Sequence, residues 1–201
     1  KGEVQFGSEY TVWYDDINWV VKDRLPSIKT YKGVNIKNNI HLIGDLSVNN
    51  VFVDSATYIK LYKDSMGYNI NLLGDTFENK GNIYADMSGS KISFSGINKQ
   101  VFINDNFNLA IDSIIINNNN GLNIIGNVYI RKGIALKDGK VYVNYDTLFF
   151  YENASYSRNN GYIIGNVAKK YTQGTAKSFI YPIGGDRGYS PVSIYFTYVS
   201  A

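Results

Sequence analysis

Apolar residues recur at every second position along most of the chain, in runs of three to six residues bounded by Gly, Asn, Asp or Ser. Ile40, Leu42, Leu46 and Val48 alternate with His41, Asp45 and Ser47. Leu122, Ile124, Val128 and Ile130 alternate with Asn123, Asn127 and Tyr129, and Val141 and Val143 with Tyr142 and Asn144. A period of two puts successive side chains on opposite faces of a strand, one buried and one wet. No window of helical length carries apolar residues at i, i+3 and i+4, so the pattern predicts an all-β chain of short strands.

The runs also repeat. "NIHLIGDLSVN" (39–49) matches "NINLLGDTFEN" (69–79), and "NNGLNIIGNV" (119–128) matches "NNGYIIGNV" (159–167) after one deletion. The shared kernel is two apolar residues, Gly, then Asp or Asn: Gly44-Asp45, Gly74-Asp75, Gly126-Asn127 and Gly165-Asn166, with a degenerate copy at Gly96. The intervals of 30, 22, 30 and 39 residues are too irregular for propeller blades or leucine-rich repeats. They suit a solenoid with a constant core and variable corners. The expected fold is a right-handed parallel β-helix: a capping segment over 1–32, the β-solenoid over 33–150, and last turns with a β-rich cap, or the start of a following β domain, over 151–201. One coil cannot bury its own apolar residues, so coils must stack and pair backbones with their neighbours.

Asp and Asn interchange in the kernel, and what they share is a side-chain oxygen that accepts backbone N–H bonds at a bend. The expectation is therefore a structural corner with all four Asx residues in equivalent places. The alternative is a calcium site where aspartates stack. Composition agrees with bends: 25 Asn and 19 Gly, both tolerant of left-handed backbone. The ends differ from the middle. Trp13, Trp19 and Pro26 fall in an aromatic, irregular opening, and Pro182 and Pro191 punctuate two apolar runs at the close. Both read as covers for the exposed strand edges of a solenoid.

Charge changes the picture little. Twenty Lys and Arg against 17 Asp and Glu leave +3, with the lysines scattered, so no nucleic-acid partner is expected. There is no cysteine, hence no disulfide and no cysteine-held metal. No run approaches the roughly 18–20 apolar residues of a membrane span. The first ten residues lack the apolar heart of a signal peptide, which suggests a cytoplasmic protein or a mature piece of a longer one.

One long stretch, residues 90–144, resembles the repeating solenoid of large surface proteins in Bacteroidota, where a Phe-x-Gly-x-x-x-Gln-x-Ile unit precedes a glycine-punctuated strand unit. Phe94, Gly96, Gln100, Ile116, Asn118, Gly121, Gly126, Gly133, Leu136 and Gly139 fall on or near that pattern, with Phe102 in place of the isoleucine. Trp13, Asn18, Trp19 and Pro26 are similar to the segment that opens such domains. Gly165, Phe179, Pro182, Gly184, Tyr189 and Pro191 are similar to the one that closes them. The resemblance implies a cell-surface or secreted protein, associated with the outer membrane. It also implies export by the type IX system through a separate sorting domain, and roles in cell adhesion, including gliding motility.

Candidate chemistry is thin. His41, the sole histidine, lies between core positions and points outward, and the sequence offers no companion set for catalysis or zinc. Asp15-Asp16 is the one adjacent carboxylate pair, and neighbouring strand residues face opposite ways. Asp105, Asp112, Asp138 and Asp146 read as single loop acids. "PIGGDRG" (182–188) lacks the Lys-Ser/Thr and the helix of a phosphate loop. Tyrosine is the remaining lead, and Tyr129 and Tyr142 stand at outward positions suited to stacking on sugars or docking on proteins. The expectation is a non-enzymatic adhesin or stalk that needs no cofactor and no metal, binds surface glycans or proteins, and connects to secretion or anchoring machinery elsewhere in its parent chain. The alternatives are a β-helix polysaccharide lyase or hydrolase using converging acids, or a phage tail or receptor-binding protein.

Overall fold

A computed structural model describes residues 28–29, 33–37, 39–42, 44–85, 89–106 and 109–200, and all regular structure among them is β. Trp13, Trp19, Pro26 and the Asp15-Asp16 pair lie outside the described residues. The chain coils as a parallel β-solenoid of about six turns, as the repeat pattern predicts.

Three parallel ladders form its sides. The first face stacks Ile28–Lys29, Leu46–Val48, Asn69–Leu72 and Lys91–Phe94. It continues through the C-terminal portions of Ala110–Asn117 and Val128–Asp138 to Ser155–Arg158. The second face stacks Gly33–Ile36, Asn50–Val53, Thr76–Asn79, Gln100–Asn104 and Leu122–Ile125. Its last two strands are the opening portions of Lys140–Phe150 and Tyr162–Lys169. The third face stacks Ile40–His41, Tyr58–Lys60 and Asn82–Tyr84. Above them come the start of Ala110–Asn117, the start of Val128–Asp138, and the ends of Lys140–Phe150 and Tyr162–Lys169. In the upper turns a single strand runs around a corner from one face to the next, which is why those strands reach 8 to 11 residues.

The inward positions of the period-two pattern fill the interior. Val34, Leu42, Leu46, Val48, Leu72, Ile92, Ile116, Leu136 and Val143 are buried in one continuous core. Each such side chain contributes on the order of 1.5–3 kcal/mol when removed from water. Aromatics fill part of the interior. Phe77 and Phe102 are register partners on successive turns with ring centroids 5.2 Å apart, and Phe94 meets Phe102 at 5.6 Å from the first face. The Phe at position 102 thus closes an aromatic cluster at the centre of the coil.

The kernel residues do lie at bends, but they are not equivalent, and this corrects the sequence expectation. Gly44-Asp45 joins the third face to the first, Gly74-Asp75 the first to the second, and both Gly126-Asn127 and Gly165-Asn166 the second to the third. Asp45 and Asp75 therefore do not stack. A three-sided coil asks the same thing of every corner: the backbone must swing and the N–H opening the next strand needs an acceptor. Asp45 Oδ1 accepts from Asn69 N at 2.8 Å, and Asn127 Oδ1 accepts from Thr147 N at 2.8 Å, each one turn above. Asn39 and Asn50 do likewise for Tyr58 N and Thr76 N at 3.1 and 2.9 Å. Asp75 instead accepts from the Asn98 side chain at 3.2 Å, and Asn166 donates to Asp146 O at 3.1 Å.

Past Lys169 the coil ends in a long antiparallel hairpin, Gly174–Tyr181 against Val192–Val199. Its tip folds over the last turn. Ile183 forms a parallel bridge with Ile163, whose N–H donates to Pro182 O at 2.9 Å. Pro182 is buried there, whereas Pro191 is exposed directly before the return strand. Phe179 packs on Phe150 at 5.2 Å and on Tyr156 at 6.0 Å, closing the open end of the core. Lys169 occupies an inward register position but sends its ammonium out to the carbonyls of Tyr151, Glu152 and Ala154 at 2.6–2.7 Å.

Glu152 ties the hairpin base to this loop: it accepts from the Thr172 hydroxyl and pairs with Lys177 Nζ at 3.4 Å. The Thr172 bond, then the Lys177 ammonium, hold its carboxyl below the ordinary range. A depressed carboxylate stabilises the fold above its unfolded value of about 4.3, and that contribution disappears as pH falls through the lower folded value. Glu152→Gln is therefore expected to melt below wild type near neutral pH and to match it at the acid end. A gap that persists in acid would place the effect elsewhere.

Candidate ligand-binding face

On the third face, Ile40 and Leu42, Ile59 and Leu61, Val128 and Ile130, and Leu148 and Phe150 point inward. The residue between each pair must point out. Ladder register then lines these residues up across the strands: His41 beside Lys60, Lys60 beside Tyr84, Ala110 beside Tyr129, Tyr129 beside Phe149, and Phe149 beside Ala168. The bridge from Ala85 to Ile111 places Tyr84 next to Ala110. The result is a row running along the solenoid axis, perpendicular to the strands.

Two aromatic–basic clusters occupy that row and its margins. In the lower one, Tyr58 and Tyr84 meet edge to face at 5.5 Å, and Lys60 Nζ lies 5.3 and 5.7 Å from their ring centroids. The His41 ring nitrogen and the Tyr58 hydroxyl are 3.4 Å apart. In the upper one, Tyr129 stacks on Phe149 at 4.5 Å with planes 11° apart, Tyr151 joins at 6.1 Å, and Lys170 Nζ lies 5.8 Å from the Tyr151 ring. Ala110, small and 8% exposed, separates the clusters. Tyr84 and Tyr151 remain 40% and 38% exposed, so ring surface is available to a ligand.

Sequence reasoning singled out Tyr129 and Tyr142 together. The structure parts them: Tyr129 is on the third face, while Tyr142 is on the second, between Asn123 and Ile164 in register, with Lys99 Nζ 4.1 Å over its ring. The two cannot serve one site. Tyr58, Lys60, Tyr84 and Tyr151 were missed. The signal for some of them was present as an aromatic–apolar–cation triplet, Tyr58-Ile59-Lys60 and Tyr129-Ile130-Arg131.

Other surfaces have less chemistry. A shallow groove of about 290 Å³ crosses the first face over Ser113, Ile115, Gly133, Ala135 and Ser155, with few polar groups and no charged side chain but Lys91 along it. Asp112, expected in a loop, is instead a buried strand residue, 2% exposed, whose carboxylate accepts from Lys132 Nζ at 2.5 Å. Asp146 Oδ2 is committed to Gly126 N at 2.7 Å. Among the described residues, no three His, Asp or Glu side chains converge, and no helix is long and apolar enough to cross a membrane. No protein-family model matches this chain, and neither a curated protein nor a solved structure is significantly similar to it.

Proposed function

We propose that this chain is a non-enzymatic binding module, part of a secreted or cell-surface adhesin or stalk, which holds glycans on the third face of its solenoid. The observation that supports this reading is the in-register aromatic row. Flat rings with hydrogen-bonding tips, fixed on a backbone paired above and below, are suited to stacking on the apolar faces of sugar rings. A rigid platform loses little entropy on binding, and weak contacts add when several sit on one scaffold. The resemblance of residues 90–144 to the surface solenoids of Bacteroidota supports an extracellular setting and export by the type IX system. It also supports roles in adhesion or gliding.

A glycan array probed with the purified domain tests the reading. Tyr84→Ala and Tyr129→Ala are each expected to weaken the best ligand about tenfold, the size of one aromatic contact of roughly 1.4 kcal/mol. Tyr142→Ala, on another face, is expected to leave binding unchanged. Binding to no glycan, or loss through Tyr142 alone, would sink the proposal.

A further inference from the structure

Charge on the third face narrows the ligand class. Its outward strand positions carry His41, Lys60 and Arg131, with Lys170 directly past the last strand, and among the described residues those strand positions carry no Asp or Glu. Among the described residues, the acids nearby are occupied or off the face: Glu152, next to Tyr151, is held by the Thr172 hydroxyl and by Lys177. Asp112 is turned inward to Lys132, Asp45 and Asp146 accept backbone N–H groups, and Asp54 and Asp105 sit at a corner beside Lys80. Lys60 and Lys170 both keep their ammonium groups over aromatic rings, so each cluster pairs a stacking surface with one cation.

Geometry narrows it again. The row runs across the strands, and strands are spaced about 4.8 Å apart, so Lys60 and Ala168, five steps apart in register, are separated by about 24 Å along the axis, and Lys170 follows Ala168 two residues on. A single sugar reaches one cluster. A linear chain laid along the axis reaches both.

Resting on the glycan reading above, we infer that the ligand is a linear polyanionic polysaccharide, built of uronic acids or sulfated sugars, lying parallel to the solenoid axis. Sugar faces stack on Tyr84 and on the Tyr129–Phe149 pair, and the anionic groups meet Lys60 and Lys170. Ala110 leaves a low floor over which the chain passes between clusters.

The test uses oligogalacturonates of increasing length, with neutral cello-oligosaccharides and single-stranded DNA of similar length beside them, measured by calorimetry at two salt concentrations. Affinity for the acidic series is expected to rise at least about a hundredfold once the oligomer exceeds roughly 24 Å, because the second cluster then binds intramolecularly. Lys60→Met and Lys170→Met are each expected to cost the long oligomer about three- to fivefold and to flatten its salt dependence, while leaving short oligomers sensitive to only one of them. Neutral glycans bound as tightly as acidic ones would overturn the inference and leave the glycan reading standing. DNA bound as tightly as the uronates would overturn the glycan commitment as well. An acidic series with no length dependence would remove the axial arrangement.

Discussion

Gly126→Ala is expected to destabilise the solenoid by about 2–5 kcal/mol, lowering its melting temperature by roughly 4–20 °C. Two costs combine. Gly126 has φ +91°, a left-handed conformation that a side chain strains by about 1–2 kcal/mol. A methyl group there would also stand 1.9 Å from Asn104 O on the turn below, which is backbone and cannot swing aside. Relief requires the corner to lift, and the corner is held from above by Asp146 through the Gly126 N–H. Gly185→Ala is the control. It has nothing within 4 Å of the new methyl and no left-handed φ, so its effect is expected within about 0.5 kcal/mol. Circular dichroism melts of the two variants decide the matter. A Gly126→Ala protein melting within about 2 °C of wild type would show that the stacked corners are looser than their contacts imply.

That corner also shows where sequence reading succeeded and where it stopped. Which residues point inward depends only on a period of two, so Ile40, Leu42, Leu122, Ile124, Val141 and Val143 could be placed in the core from alternation alone. Which face a run belongs to depends on how many bends came before it. The bends look alike because each must satisfy the same backbone groups. "LIGDL" at Gly44 and "LLGDT" at Gly74 are near-identical strings serving different corners, one face out of step. The candidate site suffered most from this. Tyr129 and Tyr142 share an outward phase but not a face, while Tyr84 and Tyr129 share a row although 45 positions separate them.

Corners and the aromatic row are coupled through register. A ladder slipping by two residues keeps every apolar side chain inside, so the core alone tolerates it. The row does not, because the same slip would move Tyr84 off the line joining Lys60 to Tyr129. Side chains that bond across turns at the bends are what exclude the slip. Asn39 to Tyr58 N fixes the base of the third face, and Asn127 to Thr147 N fixes its top. The asparagine-rich bends thus hold the aromatic row in line, and a variant losing several of them should lose the proposed glycan binding before it loses its β content.

Gln100→Leu is expected to be the most damaging change at a buried polar side chain, costing about 3–5 kcal/mol. Gln100 is fully buried where the first face turns into the second, and it touches three successive turns. Its Nε2 donates to Leu72 O at 2.9 Å and to Gly74 O at 2.7 Å on the turn below. Its Oε1 accepts from Gly96 N at 3.1 Å within its own corner and from Asn118 Nδ2 at 2.9 Å on the turn above. Leucine matches glutamine in bulk, so the packing is nearly kept and the loss is polar. Leu72 O retains its bond from Ser95 N, and Asn118 retains Asn98 O. Gly96 N is left buried and Gly74 O part-buried, with the leucine methyls as neighbours. Each buried group so stranded costs about 1–3 kcal/mol. Gly96 explains why the site is selective for glutamine: a side chain there would fall 2.8 Å from Gln100 Nε2, so the glycine makes room for the amide that bonds its N–H. Thermal melts should drop by roughly 6–20 °C, with the amide protons of Gly96 and its neighbours exchanging faster than those of the hairpin. An unchanged melting temperature would mean that water or a shifted corner replaces the amide, and that the three turns are not clamped through it.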